Sequence, residues 1–160
     1  MNKTIRKYQE NYLIFNQRAV ITEFRGAYAF LSNFFSAPIT YGGFRYANNE
    51  AAFQAQKTTS LKERQLFTRL TDPADAKALA RKVCLRSDWN KIKIRCMYEI
   101  CMTKFIQHPE LLHELEATGS AVLIEGNCWG DRFWGMVNGN GENHLGWILM
   151  DIREKLRNEY

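Results

Sequence analysis

Between Asn48 and Gly119 the chain carries a dense run of helix start and stop signals, and this run limits the fold more than any other feature. Asn48 or Asn49 can accept from a helix's free first-turn N–H groups. Ser60-Leu61-Lys62-Glu63 is a capping box. Asp72-Pro73 offers a cap followed by proline at the first helical position, where its missing N–H costs nothing. Ser87 or Asp88 opens a longer stretch, Pro109 opens another, and Gly119 closes it. Five helices are expected here: 49–58, 61–70, one from Pro73, one reaching Gln107, and one from Pro109 to Gly119. Trp89, Ile92, Cys96, Met97, Ile100 and Phe105 recur at helical spacing and should form the buried stripe of the longest.

Strand signals are few. Ala19–Phe24 and Ala121–Glu125 are rich in aliphatic and β-branched residues. Ile39–Tyr41 and Phe44–Tyr46 flank Gly42-Gly43, a two-residue hairpin signal, because both central residues of that turn need positive φ. A last helix begins at Asn143, its expected cap, with Leu145, Ile148, Leu149, Ile152 and Leu156 inward. Strands do not alternate with helices, which excludes a doubly wound sheet. The expected architecture is α+β: a compact, mostly helical single domain with a few short strands. Residues 1–18 are polar and basic and suit a short helix or an arm.

The 160 residues, 46% hydrophobic and 24% charged, suit one soluble domain. No apolar run approaches the roughly 18 residues of a membrane helix, and none follows the basic N-terminus as a secretory signal requires. Cys84, Cys96, Cys101 and Cys128 form no CxxC pair and read as free thiols in the cytoplasm. His108, His113 and His144 lack metal-ligand spacing. The net charge is +5. Twelve Lys or Arg against five Asp or Glu fall between Lys57 and Lys104. That excess fits either a phosphorylated ligand or the solvated faces of helices.

Two stretches look least like packing. Glu50, Phe53, Gln54 and Lys57 share one helix face, which is too mixed for a core. The loop from Glu125 through Asp131, Arg132 and Trp134 to Gly146 sets carboxylates and tryptophans among glycines. These stretches are expected to meet in one pocket. Glu50, Glu125 and Asp131 all sit at the ends of elements. Carboxylates can support an oxocarbenium-like sugar, activate water or protonate a leaving group, whether that group leaves through oxygen or nitrogen. Trp134, Phe34 and Trp89 could stack on a base. Glu50 could equally be a dipole-favoured helix-start residue, and Asp131 a turn residue. Gly139–Gly146 leads to a helix N-terminus, whose free N–H groups suit a phosphate.

The ordered words Phe24-Arg25-Gly26, Phe30-Leu31-Ser32-Asn33-Phe34, Asn49–Lys57, Asp131-Arg132-Phe133-Trp134-Gly135 and Gly141–Gly146 resemble the YbiA-like, or NADAR, family over about residues 23–157. The resemblance leaves 1–22 as an N-terminal extension and 23–160 as the family domain. It implies an N-glycosidase that uses no metal or cofactor. One branch of the family cleaves phosphoribosyl-aminopyrimidine intermediates of riboflavin synthesis, and another removes ADP-ribose from guanine in nucleic acid. The family's glutamate falls on Glu50 and its lysine on Lys57. Its D-x-x-W-G word falls on Asp131, Trp134 and Gly135, and its G-x-N-x-L-G word on Gly141, Asn143 and Gly146.

Glu50 and Asp131 are therefore the expected catalytic residues. Phe34, Asn49, Lys57, Trp89, Arg132, Trp134, Gly135, Asn143 and Gly146 are the expected substrate contacts. Trp129-Gly130 before Asp131 departs from the family's small polar residues, which alters the expected pocket rim. The competing readings are a non-catalytic ADP-ribose or NAD-binding module and a nucleic-acid-binding protein. The paired carboxylates oppose the first, and the lack of a binding motif opposes the second.

Overall fold

The computed structural model describes residues 19–159. The arm or helix expected within 1–18 lies outside the described residues. A 3-10 turn over Gly26–Leu31 follows β1 (Val20–Ile21). The hairpin β2 (Ile39–Tyr41) and β3 (Phe44–Tyr46) comes next, with Gly42 and Gly43 at φ 59° and 83° as the turn demands. The helices are α1 (Asn49–Ala55), α2 (Leu61–Phe67), α3 (Pro73–Ala80), α4 (Trp89–Gln107) and α5 (Pro109–Ala117). Strand β4 (Val122–Leu123) and α6 (His144–Glu159) complete the order.

The expected caps hold α1, α2 and α3. Asn48 accepts from Ala51 N–H, Ser60 from Glu63 N–H, and Asp72 from Ala74 N–H. Helices α1 and α2 stop earlier than the sequence suggests, because each ends at the tight turn carrying the chain to its neighbour. The outer strands are shorter still. β1 and β4 pair only with each other, in parallel, with Val20 opposite Val122 and Ile21 opposite Leu123. Beyond that pair each chain turns away into a loop bordering the site.

Helix α4 is the spine, about 28 Å long at 1.5 Å per residue. Its Met97, Ile100, Cys101 and Phe105 are buried, and it packs against α1, α5, α6 and β2. Ala51, Ala52 and Ala55 are fully buried on α1, and their small size brings α1 close to α3 and α4. Leu145, Leu149, Ile152 and Leu156 face inward from α6, as their spacing predicts.

Lys104 departs from the reading of the basic stretch as solvated charge, for it is only 1% exposed. Its ammonium donates to the carbonyls of Phe30 (2.5 Å) and Ser32 (3.1 Å). Burial lowers its pKa to about 8. The lysine ties the segment after the 3-10 turn to α4. All four thiols are free, with Cys96 and Cys101 buried and Cys84 and Cys128 exposed. No helix among the described residues is long and apolar enough to cross a membrane.

Candidate active site

Helix α1 starts against Asn33, whose carbonyl accepts the Glu50 N–H at 3.1 Å. The mixed face of α1 therefore meets the chain that follows the 3-10 turn, and together they open on a cavity of about 1160 Å³. Glu50, Phe53, Gln54 and Lys57 line it. The loop after β4 contributes Glu125, Trp129, Asp131, Phe133 and Trp134. Lys77 enters from α3, with Trp89, Lys93 and Met97 from α4. The two stretches singled out in the sequence do meet, and Glu50, Lys57, Asp131 and Trp134 share one cavity.

Glu50 is 6% exposed, and its Oε1 accepts from Gln54 Nε2 at 2.7 Å. Burial raises its pKa, while the Gln54 hydrogen bond, Lys77 and Lys57 oppose that rise and Asp131 adds to it. A buried carboxylate facing two lysines and one amide donor suits a group that must face developing positive charge. Lys57 is itself lowered, first by burial, with Lys77 and Arg81 adding to the effect and Glu50 opposing it.

Asp131 serves its loop with one oxygen. Its Oδ1 accepts from the N–H groups of Phe133 (3.0 Å) and Trp134 (2.9 Å). Only its Oδ2 is left to face a ligand. Trp134 packs edge-on against Phe53 at 5.3 Å and Phe133 at 4.9 Å, and Phe53 lies 5.1 Å from Trp89. These rings form a continuous aromatic wall. Phe34 also lines the cavity and is 46% exposed, with the Lys77 ammonium 5.4 Å from its ring centroid.

Five expected contacts do not line the cavity. Asn49 is 2% exposed, and its amide lies against Asn33 and Cys101. Arg132 is exposed outside the cavity. Four N–H groups leading into α6 are not free for a phosphate. Glu142, Asn143, His144 and Leu145 donate to the carbonyls of Arg132, Gly135, Phe133 and Trp134. Asn143 does not cap its own helix with its side chain. Its Oδ1 accepts from Glu125 N–H at 3.0 Å and its Nδ2 donates to Leu123 C=O at 2.9 Å.

Gly135 and Gly146 are needed for closeness rather than contact with a ligand. A Cβ on Gly135 would lie 2.2 Å from Glu125 O, and one on Gly146 would lie 2.1 Å from Leu123 O.

Lys77, Lys93, Trp129 and Phe133 line the cavity without having been among the expected contacts. Lys77 carried no signal, for it stands beside inward alanines on α3. Lys93 sits 4.0 Å from the Phe133 ring centroid, a pairing no local spacing reveals. Trp129 was visible only as a departure from the family pattern. Among the described residues, no cluster of three or more His, Cys, Asp or Glu is placed to hold a metal ion. Burial pushes the Cys101 thiol up to about 12, which keeps it from acting as a thiolate nucleophile.

A family model described as the NADAR domain matches residues 16–157. N-glycosidase YbiA of Shigella flexneri is 38% identical over 132 residues, covering 81% of this chain and 82% of that protein. A riboflavin biosynthesis protein of Vibrio vulnificus is 38% identical over 133 residues, covering 81% of this chain. The match takes in only 36% of that longer protein. The NMR structure of Escherichia coli YbiA superposes with a TM-score of 0.77 at 34% identity, covering 91% of this chain and 92% of that one. Sequence and fold thus agree over nearly the whole described length, and the chain belongs to the NADAR family.

Proposed function

We propose that this protein hydrolyses the bond between ribose and nitrogen in phosphoribosyl-aminopyrimidine intermediates of riboflavin synthesis, removing reactive compounds before they do damage. It is an N-glycosidase by reaction class, as the names of its YbiA relatives suggest. The observation that carries the reading is Glu50: a buried carboxyl lining an aromatic-walled cavity, with Lys57 and Lys77 near enough to act on its charge. Glu50 stabilises the oxocarbenium-like sugar or steers water to it, and Asp131 orients the sugar. Trp134 packs against the base. Lys57, with Lys77 in place of the exposed Arg132, receives the phosphate.

The alternative substrate is an ADP-ribosylated guanine carried on nucleic acid. A strand would need a track of cations leading away from the cavity, with binding that weakens steeply as salt rises. Of the twelve cations between Lys57 and Lys104, only Lys57, Lys77 and Lys93 line the cavity. That number favours a small substrate with one phosphate. The test offers purified protein both substrates side by side and identifies the released sugar. Ribose 5-phosphate from the aminopyrimidine compound supports the reading. ADP-ribose from DNA at physiological salt, with the small compound untouched, overturns it.

A further inference from the structure

Glu125 lies two residues beyond β4 and lines the same cavity as Glu50 and Asp131. Its Oε2 is buried and has no hydrogen-bond partner among the described residues. A buried polar oxygen with no partner in the protein, on a residue that lines a cavity, is open to a partner on a ligand.

The surroundings hold the backbone that carries this carboxyl firmly in place. The Glu125 N–H donates to Asn143 Oδ1 at 3.0 Å, and its carbonyl accepts from Met136 N–H at 2.9 Å. Gly135 leaves room for both the carbonyl and Oε2, which would lie 2.2 and 3.1 Å from an added Cβ. Gly146 in turn leaves room for the Asn143 amide, whose atoms would lie 2.4 and 2.6 Å from an added Cβ. Three residues that do not line the cavity thus converge on one that does.

We propose that Glu125 is the proton donor to the leaving nitrogen, and that Asn143, Gly135 and Gly146 are its positioning residues. The proposal rests on the N-glycosidase reading. In the step, the C1′–N bond breaks and its electron pair stays on nitrogen, which takes the Glu125 proton. A water oxygen bonds to C1′ and gives its proton to the Glu50 carboxylate. Exchange with solvent then returns both carboxyls to their starting states.

The surroundings of Glu125 suit a donor. Burial, and after it the charges of Asp131 and Glu50, raise its pKa to about 8, with Lys77 opposing. The buried thiol of Cys101 on α4 also feels its charge. Glu50 has the Gln54 amide and both Lys77 and Lys57 to support its carboxylate, whereas only Lys77 supports that of Glu125. Two carboxyls in one site with different surroundings divide acid from base.

Two measurements test the proposal: carbon-13 NMR titration of protein labelled at glutamate Cδ, and the pH profile of kcat/KM on phosphoribosyl-aminopyrimidine. One carboxyl should titrate near pH 8 and vanish from the spectrum of Glu125→Gln, or of Glu125→Asp if the first variant does not fold. Glu125→Gln should lower kcat/KM about 100- to 10,000-fold and flatten its alkaline fall. Gly135→Ala, which crowds Glu125, should shift that titration. A working enzyme in which Glu125 titrates as an ordinary carboxylate, or in which Glu125→Gln keeps its alkaline fall, overturns the donor role alone. A wild-type protein that cleaves no N-riboside, whatever its titration, overturns the glycosidase reading and the donor role with it.

Discussion

The backbone N–H of Glu125 is held at 3.0 Å by the side-chain oxygen of Asn143, eighteen residues further along the chain. The same amide donates at 2.9 Å to Leu123 C=O. One side chain therefore joins the end of β4 to the start of α6 across the whole intervening loop. Asn143 adopts φ 52°, a left-handed conformation that asparagine tolerates better than most residues.

Asn143→Ala should therefore cost more than an ordinary loop substitution. It strips partners from a buried carbonyl and from the Glu125 N–H, for about 2–4 kcal/mol in all. Chemical denaturation should show a lower midpoint with an unchanged slope. A midpoint within error of wild type would mean that the clamp adds no stability.

The pH dependence of stability follows from Glu125. Its folded pKa of about 8 lies above the ordinary glutamate value of 4.5. Between those values the unfolded chain has lost the proton that the folded protein keeps, so stability falls as pH rises through that window. Glu50 is raised as well and contributes in the same direction. Glu125→Gln should remove part of the slope and be more stable than wild type at alkaline pH, by an amount on the order of a few kcal/mol. Thermal melts from about pH 5 to about pH 9 measure it, and parallel curves for the two proteins would contradict it.

Lys104→Met tests the tie between α4 and the segment after the 3-10 turn. The methionine fills the volume but leaves the carbonyls of Phe30 and Ser32 without their ammonium donor. The expected loss is about 2–4 kcal/mol. Asn33, Phe34 and Phe35 follow directly in the chain and line the cavity, so substrate affinity should fall as well. A variant as stable as wild type would show that the two carbonyls find other partners.

Helix punctuation was legible because capping is local: Asn48, Ser60 and Asp72 cap the helices they precede. The pairing of the α1 face with the Asp131 loop was legible because a mixed face has no core use. The buried role of Lys104 was not, since its partners lie more than seventy residues upstream. Nor was the role of Gly135, Asn143 and Gly146. Their value lies in how closely β4, the loop and α6 approach one another, which no spacing within a single element encodes. Strand lengths were overread for the same reason, because β propensity cannot show that a strand has only one short neighbour.

Trp134→Phe should raise KM more than it lowers kcat. The ring remains to pack on Phe53 and Phe133, so the fold survives while the larger stacking face is lost. Aromatic contacts of this kind are worth about 0.5–1.5 kcal/mol, so KM should rise up to roughly tenfold. Steady-state kinetics on phosphoribosyl-aminopyrimidine decide it, and a kcat loss at constant KM would place Trp134 in the chemistry instead.

The most direct test of the account compares turnover of phosphoribosyl-aminopyrimidine by wild-type protein and by Glu50→Gln, with folding checked by circular dichroism. The substitution keeps the shape of the side chain and removes its charge. Wild type should release ribose 5-phosphate, and the folded variant should lose about 100- to 10,000-fold in turnover. Near-normal turnover by folded Glu50→Gln would contradict it, leaving Glu50 a helix-start residue and moving the chemistry elsewhere in the cavity.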